Sequence, residues 1–369
     1  MAKSAYIGID GVARKIKKGY IGIDGVARKI RKAYIGIGGV ARPCWSGGDL
    51  AYYGEITPLS VGRDYHAATT VGNYALFGGG YGSAKEATVD AYNKSLTHTT
   101  PTEMSVARSD LAATTVGDYA LFGGGYGTNY SGVVDAYDKS LTRTTAPSII
   151  ARTYLTATTI GDYAIFAGGS GSNGHTSIVR VLDSALTIIS TADPLSAARN
   201  HPTAATIGGY ALFAGGTSSN QTSIVDAYDQ SLTRTKAPML SVARTTHAAT
   251  TVGNHALFGG GANNSYFATV DAYDPSLTLT AVADLSVARS RVSATTVGGY
   301  ALFAGGANGT NSAPVNITDA YDEKLTRTTP TALSTARRNI AATTVGDYAL
   351  FGGGHGSGQS NVVEVYTAG

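Results

Sequence analysis

Gly117-Asp-Tyr-Ala-Leu-Phe-Gly-Gly-Gly125 is one of seven copies of a single string, and its repetition decides the fold. The other copies begin at Gly72, Gly161, Gly208, Gly253, Gly298 and Gly346, each with at most two substitutions. Successive starts lie 45, 44, 47, 45, 45 and 48 residues apart. A period in the mid-forties is too long for a leucine-rich repeat and fits a four-stranded propeller blade. Helical repeats of similar length exist, but these segments are rich in Gly, Thr and Tyr and show no 3.6-residue period. The sequence therefore predicts an all-β, seven-bladed β-propeller.

Working outward from the string gives one blade over residues 108–152. Gly117-Asp118 reads as a two-residue hairpin turn with Gly first. Before it, Leu111-Ala-Ala-Thr-Thr-Val116 is a small-residue strand suited to the crowded centre of a ring. After it, Tyr119 to Phe122 forms the second strand, and Gly123-Gly-Gly125 lets the backbone bend or approach a neighbour closely. Val133 to Tyr137 is the third strand, and Asp138-Lys-Ser140 turns the chain into an outer strand, Leu141 to Thr145. In the seventh blade the third strand, Val362 to Tyr366, is followed only by Thr-Ala-Gly. The segment from Ala51 to Arg63 aligns with the outer strand and linker that end at Arg152. The two chain ends are therefore expected to share one blade, which closes the ring and pairs its last free edge.

Composition agrees with this reading. Of 369 residues, 48 are Gly and 23 are Tyr, while only 14 % are charged, against about 25 % in an average globular protein. So many aromatics with so little charge exclude a disordered chain, and the absence of Gly at every third position excludes collagen. No apolar run approaches the length of a membrane-spanning helix, and no signal-peptide core is recognisable. Cys44, the single cysteine, rules out an internal disulfide and any multi-cysteine metal site.

Charge divides the chain near Gly47 and Gly48. Residues 1–48 carry ten Lys/Arg against two Asp, a net +8, and residues 49–369 carry eighteen against twenty-three Asp/Glu, a net −5. The expected domains are accordingly a basic segment, 1–48, and the propeller, 49–369. Within the first, Ala5-Tyr-Ile-Gly-Ile-Asp-Gly-Val-Ala-Arg-Lys-Ile-Lys-Lys18 recurs from Gly19 to Lys32 and, shortened, from Ala33. Each unit pairs an alternating strand with Asp-Gly or Gly-Gly and a second strand, a hairpin signature. The +8 charge would suit nucleic acid or an anionic membrane. It recurs, however, as the solvated strand Arg-Lys-Ile-Lys-Lys beside an apolar one, which favours a structural stem or docking segment.

Two resemblances rest on these motifs. The Gly-Gly doublets, the downstream Tyr and the period resemble kelch repeats over residues 50–366. The chain departs from that family in lacking the Trp that usually follows the Tyr; its only tryptophan, Trp45, lies outside the ring. The 14-residue repeat resembles N-terminal repeats of tail-associated proteins of phages and prophages of Gram-positive bacteria. This second resemblance implies a virion component, assembled in the bacterial cytoplasm.

Variation along the repeats is confined to one side. In an antiparallel blade, loops one–two and three–four lie on one face of the ring, and loops two–three and four–one on the other. The first set barely changes: Val-Gly-Asn/Asp/Gly-Tyr and Tyr-Asp-x-Ser-Leu-Thr. The second set differs in every blade. After a repeated Arg come Asp64-Tyr65-His66, Ser109-Asp110, Thr153-Tyr154, Asn200-His201, Thr245-Thr246-His247, Ser290-Arg291 and Arg338-Asn339. After the Gly doublets come Tyr126 and Tyr130, His175, Asn264 and Tyr266, and His355. Rigid Tyr with adaptable Asn and Ser is the vocabulary of antibody binding loops. Loops drift on any scaffold, but both faces have loops and only one varies. These residues are the candidate ligand-binding set: Asp64, Tyr65, His66, Asp110, Tyr126, Tyr130, Tyr154, His175, Asn200, His201, His247, Asn264, Tyr266, Arg291, Asn339 and His355. The segment before Ala51 is expected to leave from the uniform face, opposite this set.

Other chemistry is weaker. The seven repeated Arg (63, 108, 152, 199, 244, 289, 337) are offset by Asp90, Asp135, Asp226, Asp271, Asp319 and Glu364, with Arg180 in the third blade. Structural Arg–carboxylate pairing explains them better than an anion-binding ring. No His pair has the i, i+2 or i, i+4 spacing of a metal site, and no phosphate-loop Gly-Lys-Ser/Thr follows the glycines. Galactose oxidase is a kelch relative whose cofactor needs a Cys–Tyr cross-link inside the propeller, and Cys44 lies outside. A glycosidase needs two carboxylates across a pocket, and only Asp64 and Asp110 follow the repeated Arg closely. The expectation is a non-enzymatic recognition protein with no cofactor and no metal. It would bind a host cell-surface glycan or protein through the variable face and dock on other tail proteins, or self-associate, through residues 1–48. Nucleic acid and membrane insertion are not expected. The alternatives are an intracellular kelch-like scaffold and a carbohydrate-active enzyme.

Overall fold

The computed structural model describes residues 50–189, 192–309 and 311–368 with their side chains, and six strands between Tyr6 and Ser46 by their pairing alone. Those six form three antiparallel hairpins: Tyr6–Ile9 with Val12–Lys15, Gly19–Ile23 with Val26–Ile30, and Lys32–Ile37 with Val40–Ser46. Residues 47–49 lie outside the described residues, and so does the expected exit of this segment opposite the variable face.

From residue 50 onward the chain forms seven four-stranded antiparallel sheets, the blades of a β-propeller. The second blade comprises Ala112–Val116, Tyr119–Gly123, Val134–Tyr137 and Arg143–Ala146, in that order from the axis outward. In the seventh, Ala51–Ile56 pairs antiparallel with Val363–Thr367 and supplies the outer strand. Tyr52 strengthens this closure by donating its hydroxyl to Glu364 at 2.7 Å and packing edge-on against Tyr366.

One boundary differs from the sequence expectation. The turn before the outer strand runs from Asp138 through Thr142, and Leu141 belongs to it, with φ 66°. The Asp138 carboxylate causes this by accepting the amides of Ser140 and Thr142 at 2.8 and 2.9 Å, which wraps the chain around one oxygen.

Each blade is packed on both faces by its neighbours, so its middle strands are buried on both sides. Seven apolar clusters fill the gaps, each drawing on two blades; one joins Leu121, Val134 and Ala136 to Ala164, Phe166 and Leu182. Close approach explains a glycine here: a Cβ at Gly123 would stand 2.6 Å from the ring of Phe166 in the next blade. Within a blade, Phe122 meets Tyr137 edge-on at 5.9 Å, and Tyr137 donates to the Thr102 carbonyl of the linker at 2.8 Å. At the axis the paired threonines of the innermost strands bond from blade to blade, as in Thr114 with Thr159 at 2.7 Å and Thr70 with Thr343 at 2.8 Å.

The repeated arginines are staples. Arg108, fully buried, meets Asp135 at 2.8 Å and donates to the Phe122 carbonyl at 2.9 Å. Arg63, Arg199, Arg244 and Arg289 repeat the pairing at 2.6 to 2.8 Å, and Arg337 repeats it with Glu364. Burial pushes the Asp90 carboxyl up, but Arg63, the Ser60 amide and His98 outweigh it and hold it below the usual carboxylate range.

Candidate functional site

Contacts between turns assign the loops to faces. Gly72 and Gly117, in one–two turns, lie against Lys139 and Ser184 in three–four turns of the next blade. On the other side, the amide of Gly80 in a two–three loop donates to the Arg108 carbonyl in a four–one linker at 2.9 Å. The varied loops therefore share one face and the repeated turns share the other.

On the varied face, the second residue after each repeated Arg has a left-handed backbone. Tyr65, Asp110, Tyr154, His201, Thr246, Arg291 and Asn339 have φ between 48° and 56°. This conformation lets the Asp110 amide reach the Tyr65 carbonyl of the preceding blade at 2.9 Å, and Tyr154 reach Asp110 at 3.1 Å. His201, Arg291 and Asn339 extend the same ring of bonds. Glycine is the residue that adopts such a backbone without strain, and none of the seven positions has one. The uniform face offers a control, because its three–four turns also have a left-handed residue, and that residue is Leu in all six cases: Leu96, Leu141, Leu186, Leu232, Leu277 and Leu325. Equal backbone demands thus coexist with one repeated side chain on one face and seven positions holding seven different local sets on the other.

The seven side chains line a central cavity of 480 Å³, open to solvent, with Leu111, Leu155, Val292 and Ile340 as its apolar floor. His201 stacks on Tyr154 with centroids 4.2 Å apart. Burial, with smaller contributions from Arg291 and His175, pulls the His201 imidazole down to about 4, so this stacked pair is neutral at pH 7. Burial pushes the Asp110 carboxyl up, against the hydrogen bond that Ser109 donates to it at 2.6 Å. Lys85 reaches in from the first blade to donate to Ser109 at 2.7 Å.

An aromatic shelf adjoins the cavity. Tyr126 and Tyr130 meet edge-on at 5.4 Å, and the Lys85 ammonium stands 5.0 Å from the Tyr81 ring and 5.5 Å from Tyr126. Tyr65, Tyr81, Tyr126 and Tyr130 are each 38–40 % exposed, unlike the buried tyrosines of the blades.

The structure brings six of the sequence-predicted residues together in the ring: Tyr65, Asp110, Tyr154, His201, Arg291 and Asn339. His66 and His247 border the same cavity but are buried. The His66 ring donates to the Gly352 carbonyl at 3.1 Å, and His247 bonds Thr203. Asp64 is buried beneath the rim, accepting from Asn339 at 3.3 Å with His355 at 3.9 Å. Farther out, Asn200 donates to Ser170 at 3.1 Å, and the exposed His175 bonds the same hydroxyl at 2.8 Å. Tyr266 bonds Ser312 at 2.7 Å, and Asn264 is exposed beside it. Thr246, Tyr81 and Lys85 were missed by the sequence reading. Thr246 stands at the recurrent second position after the Arg, which is the signal that would have found it. Among the described residues no group of three His, Cys, Asp or Glu side chains is placed to hold a metal ion.

No family model matches this chain, and no curated protein matches it. Among solved structures, a chain titled "Structure of YjhT" is similar in fold, with a TM-score of 0.58 and 14 % sequence identity, over 72 % of this chain and 96 % of that one. At that identity the likeness shows the propeller architecture alone.

Proposed function

We propose that this chain is a non-enzymatic recognition protein, a kelch-like component of a phage or prophage tail that binds a host cell-surface glycan or protein in the central cavity and on the adjoining shelf. One observation supports this above the rest: seven strained, non-glycine positions of identical backbone carry varied side chains into one cavity, while the matching positions on the opposite face all carry Leu. Strained backbone kept where a side chain projects into a cleft is characteristic of functional sites. The cavity volume lies in the range of small-ligand sites, and Tyr154–His201 and the exposed tyrosines offer flat apolar faces suited to sugar rings. Binding without catalysis is supported by the carboxylates. Asp110 lines the cavity, whereas Asp64, with its side chain 4 % exposed, is held below the rim by Asn339 and His355. The basic hairpins would dock this head on the rest of a tail within the virion, and several copies on one particle would add avidity.

The test is binding of the full chain to intact Gram-positive cells and to their purified surface polysaccharides, beside a Tyr65→Ala/Tyr154→Ala/Arg291→Ala variant. Selective binding by the native chain that the variant loses supports the reading. No binding to any cell or polysaccharide, or binding that the variant retains in full, refutes it.

A further inference from the structure

The third blade departs from the other six at its staple. In those six, a buried Arg and a linker amide converge on one carboxylate, joined in three of them by a second Arg and in the first blade by His98. In the second blade Asp135 forms an ion pair with Arg108 at 2.8 Å and accepts from the Ser105 amide at 3.0 Å and Arg143 at 3.1 Å. In the third blade Arg180 replaces the acid and Ile188 replaces the second cation. Ile150, the residue after the buried Ile149, stands where Ser105 follows Met104.

Arg152 itself is unchanged. Its side chain is fully buried, and it donates to the carbonyls of Phe166 at 3.0 Å and Ile178 at 2.6 Å. The first of these bonds repeats the one that Arg108 makes to Phe122. Among the described residues no carboxylate forms an ion pair with Arg152 or Arg180. The blade has kept its buried arginine and lost its acceptor. A buried charge without a counter-ion is among the costliest features a fold can carry, and here a second cation stands beside it.

We propose that the third blade binds a small oxyanion of carboxylate size between Arg152 and Arg180, standing in for the Asp or Glu of the other six. The site is distinct from the central cavity, and its ligand is independent of the receptor. Planar, two-oxygen anions suit it because a guanidinium matches them with two parallel hydrogen bonds. Access is by way of Arg180, which is half-buried where the equivalent Asp residues are sealed, and whose Nη1 donates a long hydrogen bond to the Val179 carbonyl at 3.3 Å. Burial and the neighbouring Arg180 pull the Arg152 guanidinium down to about 9, so it remains charged at neutral pH and an anion there would hold it so.

Sodium formate, a bare carboxylate, is the probe. The thermal unfolding midpoint of the full chain is followed as formate replaces sodium chloride at constant ionic strength. The native chain is expected to show a saturable rise. Arg180→Asp, which restores the acid of the other blades, is expected to show none and to unfold at or above the native chain without formate. Arg180→Ala keeps Arg152 and removes one cation, and should weaken the formate response about tenfold. No saturable rise in the native chain, an equal rise in Arg180→Asp, or a lower midpoint for Arg180→Asp than for the native chain overturns the proposal.

Discussion

Replacing Asp135 with Ala removes the acceptor of one staple and leaves its arginine in place. Asp135 and Arg108 are both fully buried, 2.8 Å apart, and Arg143 and the Ser105 amide complete the carboxylate's partners at 3.1 and 3.0 Å. After substitution the Arg108 charge faces only carbonyl oxygens, one of them Phe122 at 2.9 Å. Breaking a buried pair in this way costs about 3–5 kcal/mol, most of it the penalty of the stranded charge. With a urea m-value of about 3 kcal/mol/M, the unfolding midpoint falls by about 1–1.7 M. Arg108→Met removes the stranded charge, so the double variant Arg108→Met/Asp135→Ala should be more stable than Asp135→Ala alone. Urea unfolding of the native chain, both single variants and the double variant completes the cycle. A loss below about 1 kcal/mol for Asp135→Ala, or additive losses in the double variant, would refute the view that these pairs are interdependent staples.

The other perturbations separate strain, pH and closure. Thr246 holds a left-handed backbone at φ 54° although its side chain is β-branched, so Thr246→Gly should stabilise the chain by up to about 1 kcal/mol in urea unfolding; a loss would show that the ring is not strained. His66 is pulled down to about 3, by burial first and Arg63 next, whereas an unfolded histidine titrates near 6.5. Its neutral ring therefore contributes stability that is complete above about pH 6.5 and is lost as pH falls toward 3, about 3 kcal/mol of it by pH 4. Asp64 and Asp110, raised by burial, act in the opposite sense. The comparison is accordingly between the native chain and His66→Leu, the residue found at this position in the second and third blades, and the stability difference between the two should shift by that amount over this pH range. Deleting residues 50–56 removes the outer strand of the seventh blade and exposes the edge of Val363–Thr367. Size-exclusion chromatography should then show a larger species than the native chain, and an unchanged elution position would show that the closure strand is dispensable.

What was legible in the sequence was whatever repeats. Seven copies of the Gly-x-Tyr-Ala-Leu-Phe string, two of them with one substitution, made the blades, their order and the shared seventh blade readable, because a residue type needed at every interface recurs in every blade. The buried Arg–Asp staples were legible for the same reason. The turn at Asp138 was misplaced by two residues, since whether Leu141 extends the strand depends on which amides the Asp138 carboxylate captures. The site was legible as a face, because alternation of loops requires no coordinates. Its depth was not. His66 and His247 look like their loop neighbours in sequence, yet packing against glycine-rich backbone buries both, while Tyr65 beside His66 stays 40 % exposed. The left-handed ring escaped notice because glycine, the usual sign of that backbone, is absent from it.

The most direct measurement of the central claim compares the two faces in one binding assay. One variant replaces Tyr65, Tyr126, Tyr130 and Tyr154 with Ala; the other replaces the exposed uniform-face residues Lys94, Lys139, Gln230 and Lys324 with Ala. Both leave every strand intact. Affinity for the host surface polysaccharide should fall by at least about a hundredfold in the first, as loss of aromatic anchors does, and stay within about twofold in the second. Equal losses in the two variants, or a loss confined to the second, would contradict recognition through the varied face.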